Sequence, residues 1–116
     1  MHADDNRHEY LCVIVSAGSS HEAREMARTV VERRLAACAQ MLPMRSIYIW
    51  DGKLAEDEEY LILFKTRADR YRALEAAILA QHSYKVPEIL ALPVVAGSKD
   101  YLKWLNETLD GSGSLG

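Results

Sequence analysis

Two thiols, four imidazoles and a set of scattered carboxylates are what this 116-residue chain offers to chemistry. Cys12 and Cys38 each lie inside an apolar run. Copper, and Cu(I) above all, takes thiolate, thioether and imidazole ligands, so the thiols are the first place to look for a metal. A cysteine in an apolar strand is equally a small buried hydrophobe, and both readings stand at this point. His2 and His8 fall in a polar opening stretch and read as solvated. His82 stands where a helix ends, a position at which an imidazole can cap carbonyls and complement the helix dipole. Ser16, Ser19 and Ser20 lie near His21, but adjacent residues at a helix start cannot form a nucleophile and base pair, and capping explains them better. There is no His-Glu-x-x-His helix, no Cys-x-x-Cys pair and no Gly-x-Ser-x-Gly elbow. Glu88 beside Pro87 has the type of a general base with nothing around it to mark it as one. The chain is not expected to be an enzyme.

The elements that must position these residues can be read from periodicity. Tyr10–Val15 is a short, continuously apolar run, which is the pattern of a central strand covered on both faces. Ser19 with Glu22 has capping-box spacing, and Ala23, Met26, Ala27, Val30 and Val31 recur at helical intervals, so a helix is predicted over 20–34. Residues 36–50 read as extended, with Pro43 marking an edge or bulge. Asp51-Gly52 is a strong hairpin signal, and Glu59–Lys65 is the strand that follows it. The acidic run Glu56–Glu59 is expected to be the solvated end of that hairpin. Thr66 with Asp69 suggests a second capping box, ahead of a helix through Tyr71, Leu74, Ile78 and Leu79 that ends near Gln81 or His82. Residues 83–88 form a loop, 89–95 a strand held to an edge by Pro93, and Ser98 caps a last helix through Tyr101, Leu102, Leu105 and Leu109.

Strand, helix, strand, strand, helix, strand and a terminal helix make an α+β chain with the split βαβ, ferredoxin-like arrangement: a four-stranded antiparallel sheet with both main helices on one face. One domain over 10–109 is expected, between flexible tails at 1–9 and 110–116. Residues 60–64 are apolar on both faces and 36–50 is very long, so the uncovered sheet needs a partner, and a homo-oligomer is inferred. The chain is 49% hydrophobic and 27% charged with a net charge of −3, which fits a globular core and leaves no basic stripe for nucleic acid. No apolar run approaches the ~20 residues that span a bilayer, and no signal-peptide pattern opens the chain. Two cysteines are too few for a disulfide framework, so the expected compartment is the cytoplasm.

Taken in order, Leu35-Ala36-Ala37-Cys38-Ala39, Ser46–Lys53, Glu59 with Lys65-Thr66, His82–Ile89 and Tyr101–Leu105 closely resemble the CutA family of divalent-cation tolerance proteins, nearly from Cys12 to Leu109. The resemblance implies a ferredoxin-like fold, a tight homotrimer and a role in tolerance of copper and other divalent cations. The metal residues it implies are Cys38 and His82, while the first-strand cysteine of the family falls on Val15 here. A further ligand would then come from Met41, Met44, water or a neighbouring subunit. It also draws attention to Trp50, Lys53, Glu59, Lys65, Tyr84, Glu88 and Trp104 as walls and charges of a cleft between subunits. Against this stand plainer roles: interface packing for Trp50 and Trp104, and a snorkelling or paired lysine for Lys65. The trimeric PII signalling proteins share this subunit fold, so a sensor of a small anionic ligand is the alternative. The absence of a Gly-rich phosphate loop speaks against a nucleotide. A purely structural role toward an unknown protein partner is the third possibility.

Overall fold

The computed structural model describes residues 9–111, so most of the two expected tails lies outside the described residues. Its strands are β1 (Tyr10–Ala17), β2 (Cys38–Trp50), β3 (Lys53–Arg67) and β4 (Ile89–Pro93), and its α-helices are α1 (Ser20–Glu32), α2 (Tyr71–Gln81) and α3 (Lys99–Leu109). The sheet is antiparallel with order β2-β3-β1-β4. This is the ferredoxin-like arrangement read from the sequence. β1 is central as its unbroken apolar run requires, and Pro43 and Pro93 sit on the two edge strands, where a missing N–H leaves no ladder bond unmade. No helix among the described residues is long and apolar enough to cross a membrane.

Alternation assigns each face. Val13, Val15, Ile62 and Phe64 point toward α1 and α2 and are fully buried with Met26, Val30, Leu74 and Ile78. Cys12, Ile14, Ser16, Glu59, Leu61, Leu63 and Lys65 take the other face. There α3 covers one end only, packing Leu105 and Leu109 on Ala37 and Tyr10. Arg67 locks that end, its guanidinium donating to Asp110 at 2.8 Å and to Asp69 at 3.0 Å. Asp110, at the C-cap of α3, is held below its ordinary range by this hydrogen bond from Arg67.

The hairpin β2–β3 is longer than the rest of the sheet. Its turn is the two-residue Asp51-Gly52 connection, both residues at positive φ (56° and 77°), as a type I′ turn requires. From Cys38–Lys65 to Trp50–Lys53 the pairing is unbroken. β1, however, pairs with β3 only from Arg67 back to Tyr60. Beyond Tyr60 the hairpin is a two-stranded ribbon. The acidic run Glu56–Glu59 is therefore not the hairpin end that was expected. It lies within β3, where Glu58 is opposite Arg45 and forms a 2.8 Å ion pair with it.

The second capping box is also corrected. Thr66 is fully buried, and its hydroxyl donates to the Leu35 carbonyl at 2.7 Å instead of capping a helix. Asp69 accepts from Arg67, and a 3-10 turn over Ala68–Arg70 leads into α2 with no side-chain cap. Thr66→Val would leave that carbonyl buried and without its donor. The variant should lose about 2 kcal/mol of unfolding free energy, measured by urea denaturation at fixed protein concentration.

Candidate functional site

A cleft of about 610 Å³ opens where the ribbon leaves the sheet. Trp50, Tyr48, Asp57 and Glu59 of the ribbon form one side, and Tyr84 and Glu88 of the 82–88 loop form the other. The step in the sheet places the loop. β1 stops at Ala17 opposite Tyr60, so Glu59, one residue earlier in β3, pairs with Met44 of β2 and has no strand on its other side. Tyr84 fills that place. Its hydroxyl donates to Glu59 Oε2 at 2.7 Å, and a Cβ at Gly18 would stand 3.1 Å from the same hydroxyl, so a larger residue there would have to push the phenol aside by a few tenths of an ångström. Glu59 is only 7% exposed. Burial and then the bond to Glu59 hold the Tyr84 hydroxyl far above the ordinary tyrosine range. The Tyr48 hydroxyl donates to Asp57, which raises its own pKa in the same way.

His82 and Glu22 fasten the loop. His82 Nδ1 accepts the Tyr84 N–H at 3.0 Å, and Nε2 lies 2.6 Å from the Ser16 carbonyl. An N–H can only donate and a carbonyl can only accept, so the proton is on Nε2 and the tautomer is fixed. Glu22 Oε2 lies 3.7 Å from Nδ1, but that nitrogen is already an acceptor and the pair is not an ion pair. Glu22 instead accepts from Ser83 N at 2.8 Å and Gly18 N at 3.3 Å. It serves the loop and not the reciprocal half of the expected capping box, while Ser19 does cap Glu22 N at 3.1 Å. Burial alone would raise the Glu22 carboxyl, but the hydrogen bonds from the Ser83 and Gly18 N–H groups outweigh it and hold it below the usual range.

The expected site residues fall into two groups. Trp50, Glu59, Tyr84 and Glu88 line the cleft, with Lys53 paired to Trp50 beside the hairpin turn. Lys65 is six residues from Glu59 along β3, roughly 20 Å at ~3.3 Å per residue. Its ammonium donates to Gln40 at 2.5 Å. Trp104 lies on α3 against Tyr101, ring centres 5.4 Å apart, at the same far end. Within one chain, then, neither Lys65 nor Trp104 reaches the cleft. Lysine chemistry is supplied there by Lys85, which sequence reading does not place in a cleft, nor Tyr48 or Asp57; Ser16, read from the sequence as a capping residue, lies in β1 and lines the cleft.

Cys38 and His82 are likewise apart. Cys38 is opposite Lys65, and His82 touches Ser16, which places them roughly 15 Å from one another by strand geometry. Val15 has its side chain in the helix-facing core, on the face opposite Cys38. Cys12 is the thiol that shares Cys38's face, because both are register partners of Lys65. Burial raises the Cys12 thiol, with Lys65 opposing it. Cys38 Sγ lies 3.6 Å from the Tyr101 hydroxyl, whose pKa burial and this contact push up to about 12. Both cysteines are free, and among the described residues no three His, Cys, Asp or Glu side chains are grouped to hold a metal ion. His2 and His8 lie outside the described residues.

The loop attachment makes one expectation concrete. A carboxyl with a depressed native pKa contributes stability that is fully present above its unfolded value of 4.5 and is lost as pH falls through the native one. Glu22→Gln should therefore melt lower than wild type at neutral pH. Its melting temperature should also fall less steeply on acidification below about 4.5, as followed by circular dichroism across that range.

The chain has close relatives of known fold. Residues 11–108 match the family model described as CutA1 divalent ion tolerance protein. The divalent-cation tolerance protein CutA of Thermus thermophilus is 44% identical over 96 residues, covering 82% of this chain and 93% of that one. The CutA of Yersinia pestis is 42% identical over 100 residues, covering 85% of this chain and 84% of its own. Among solved structures, the protein described as the periplasmic divalent cation tolerance protein CutA of Archaeoglobus fulgidus superimposes with a TM-score of 0.85 at 33% identity, over 86% of this chain and 98% of that one. The Thermus thermophilus structure gives 0.83 at 42% identity, over 85% and 97%. A family match across nearly every element, at identities well above those of fold likeness alone, makes this chain a member of the CutA divalent-cation tolerance family.

Proposed function

We propose that this protein serves divalent-cation tolerance as a homotrimer that binds copper, with Cys38 as its principal soft ligand, and that it does so in the cytoplasm as a binding protein and not as a catalyst. The observation that carries the metal reading is the row Cys38–Lys65–Cys12: two unpaired thiols on one sheet face, with an ammonium between them. Lys65 works against the burial that holds Cys12 as a thiol, and a thiolate, once formed, is what Cu(I) prefers. His82 is the weaker candidate. A metal on Nδ1 would have to displace the Tyr84 N–H, and Nε2 is taken by Ser16. The cytoplasm suits two thiols too far apart across β3 to form a disulfide.

The trimer reading rests on surface that one chain leaves bare. In the ribbon, Ile47, Ile49, Trp50 and Leu54 are 56–73% exposed. Leu42, Leu90 and Leu92 add an apolar stripe on the face that α3 only partly covers. A two-stranded ribbon is marginal in water by itself, and patches of this kind mark interfaces.

Sedimentation equilibrium at micromolar concentration should show a single trimeric species. Ile49→Asp should shift it toward smaller species while Arg72→Asp should not; a stable wild-type monomer or dimer would refute the assembly. For copper, competition against a chromogenic Cu(I) chelator should show Cys38→Ser losing most of the affinity and His82→Ala losing little. Wild-type affinity in both variants would remove these residues from the site.

A further inference from the structure

We propose that α3 is a hinged flap that lifts from the sheet as one unit while the rest of the fold stays intact, with a clasp of arginines on its last turn, a hinge at residues 94–98 and the Cys38 thiol beside its first half. The proposal is independent of the copper and trimer readings. α3 shares little with the main core. Its Leu105 and Leu109 pack with Ala37 and Tyr10 in a small cluster, apart from the one that joins the sheet to α1 and α2. Its first half is open to solvent: Tyr101 and Trp104 lean on each other and are both exposed. The Tyr101 hydroxyl lies 3.6 Å from Cys38 Sγ. Residues 94–98, which join β4 to α3, have no regular structure and are mostly exposed.

The clasp is polar and comes from separate elements. Arg34, just past α1, donates to the Thr108 carbonyl at 2.8 Å, and Arg70, ahead of α2, donates to the Leu109 carbonyl at 3.0 Å. Arg67 of β3 donates to Asp110 at 2.8 Å and to Asn106 at 3.2 Å. Cations belong at the last carbonyls of a helix, which have no partner within it. Two features show that this docking has a cost. Arg34 stands at φ 60°, where α1 closes through bonds from the Arg34 and Leu35 N–H groups to the Val31 and Val30 carbonyls. Glycine is the usual residue at such a place, because a Cβ is strained there. What arginine adds over glycine is its side chain, and that side chain holds Thr108. Thr108 is the other feature. Its hydroxyl is the one buried side-chain polar atom among the described residues with no hydrogen-bond partner, and lifting α3 returns it to water. An element with few apolar contacts and an unmet polar group is the kind that opens ahead of the core.

The test is amide hydrogen exchange of the full chain under native conditions, followed by mass spectrometry, with alkylation of Cys38 by iodoacetamide read in parallel. The amides of α3 should exchange together, through an opening that leaves β1 and β3 protected. Arg34→Gly keeps the turn and removes one arm of the clasp. Exchange in α3 should rise by about tenfold or more, while β1 and β3 stay close to wild type. Thr108→Val keeps the shape and removes the unmet hydroxyl, so α3 should exchange several-fold more slowly. Alkylation of Cys38 should follow α3, faster in the first variant and slower in the second. The proposal is overturned if α3 exchanges only together with β1 and β3, or if Arg34→Gly leaves α3 unchanged or loosens all three elements alike. It is also overturned if Thr108→Val does not slow α3, or if Cys38 alkylation is the same in all three proteins.

Discussion

A strand of fifteen residues lies beside one of eight, and most of what is particular to this molecule follows from that mismatch. Where β1 is present, β3 is a core strand: Ile62, Phe64 and Thr66 are fully buried. Where β1 ends, the same strand continues with only β2 for company, and its outer apolar residues face water. The step between the two regimes is a single residue wide, at Glu59. A backbone leaving a sheet exposes unmet polar groups and an open edge, and a loop must cover them. The 82–88 loop packs at that step through the Tyr84 bond to Glu59, and in doing so brings its aromatic and charged residues against the ribbon.

The covering loop is held by polar contacts more than by apolar ones. Glu22 accepts from two backbone N–H groups of separate segments, and His82 joins the loop to β1 through both ring nitrogens. The far end of the same face uses a different device, the Arg67 guanidinium spread over Asp69, Asn106 and Asp110. Between these anchors the sheet face is largely apolar and has no cover among the described residues. The two polar networks thus frame the surface that an assembly would bury.

The fold was largely legible because it depends on alternation and turn chemistry, both local. The Asp51-Gly52 turn, the central place of β1 and the edge prolines all follow from residue type. The acidic run Glu56–Glu59 misled because carboxylates usually mark a chain end in water, whereas here Arg45 across the ribbon offsets them. Thr66 misled because its hydroxyl has a carbonyl partner thirty-one residues away in sequence, which no spacing rule can reveal. The candidate site was half legible. Glu59, Tyr84, Glu88 and Trp50 do share a cleft, but that Lys65 and Trp104 lie at the opposite end depends on register along β3. The kinship of Cys12 with Cys38 could have been read from strand alternation once β3 was placed between their strands.

The buried imidazole of His82 has a further consequence. Its Nε2 proton is directed at a carbonyl 2.6 Å away, and the side chain has no exposed surface, so solvent can take that proton only when the loop lifts off β1. Its protection against hydrogen exchange thus reports the free energy of opening the loop, without a label or a ligand. The fold in this way carries its own gauge of how firmly the 82–88 loop is seated on β1.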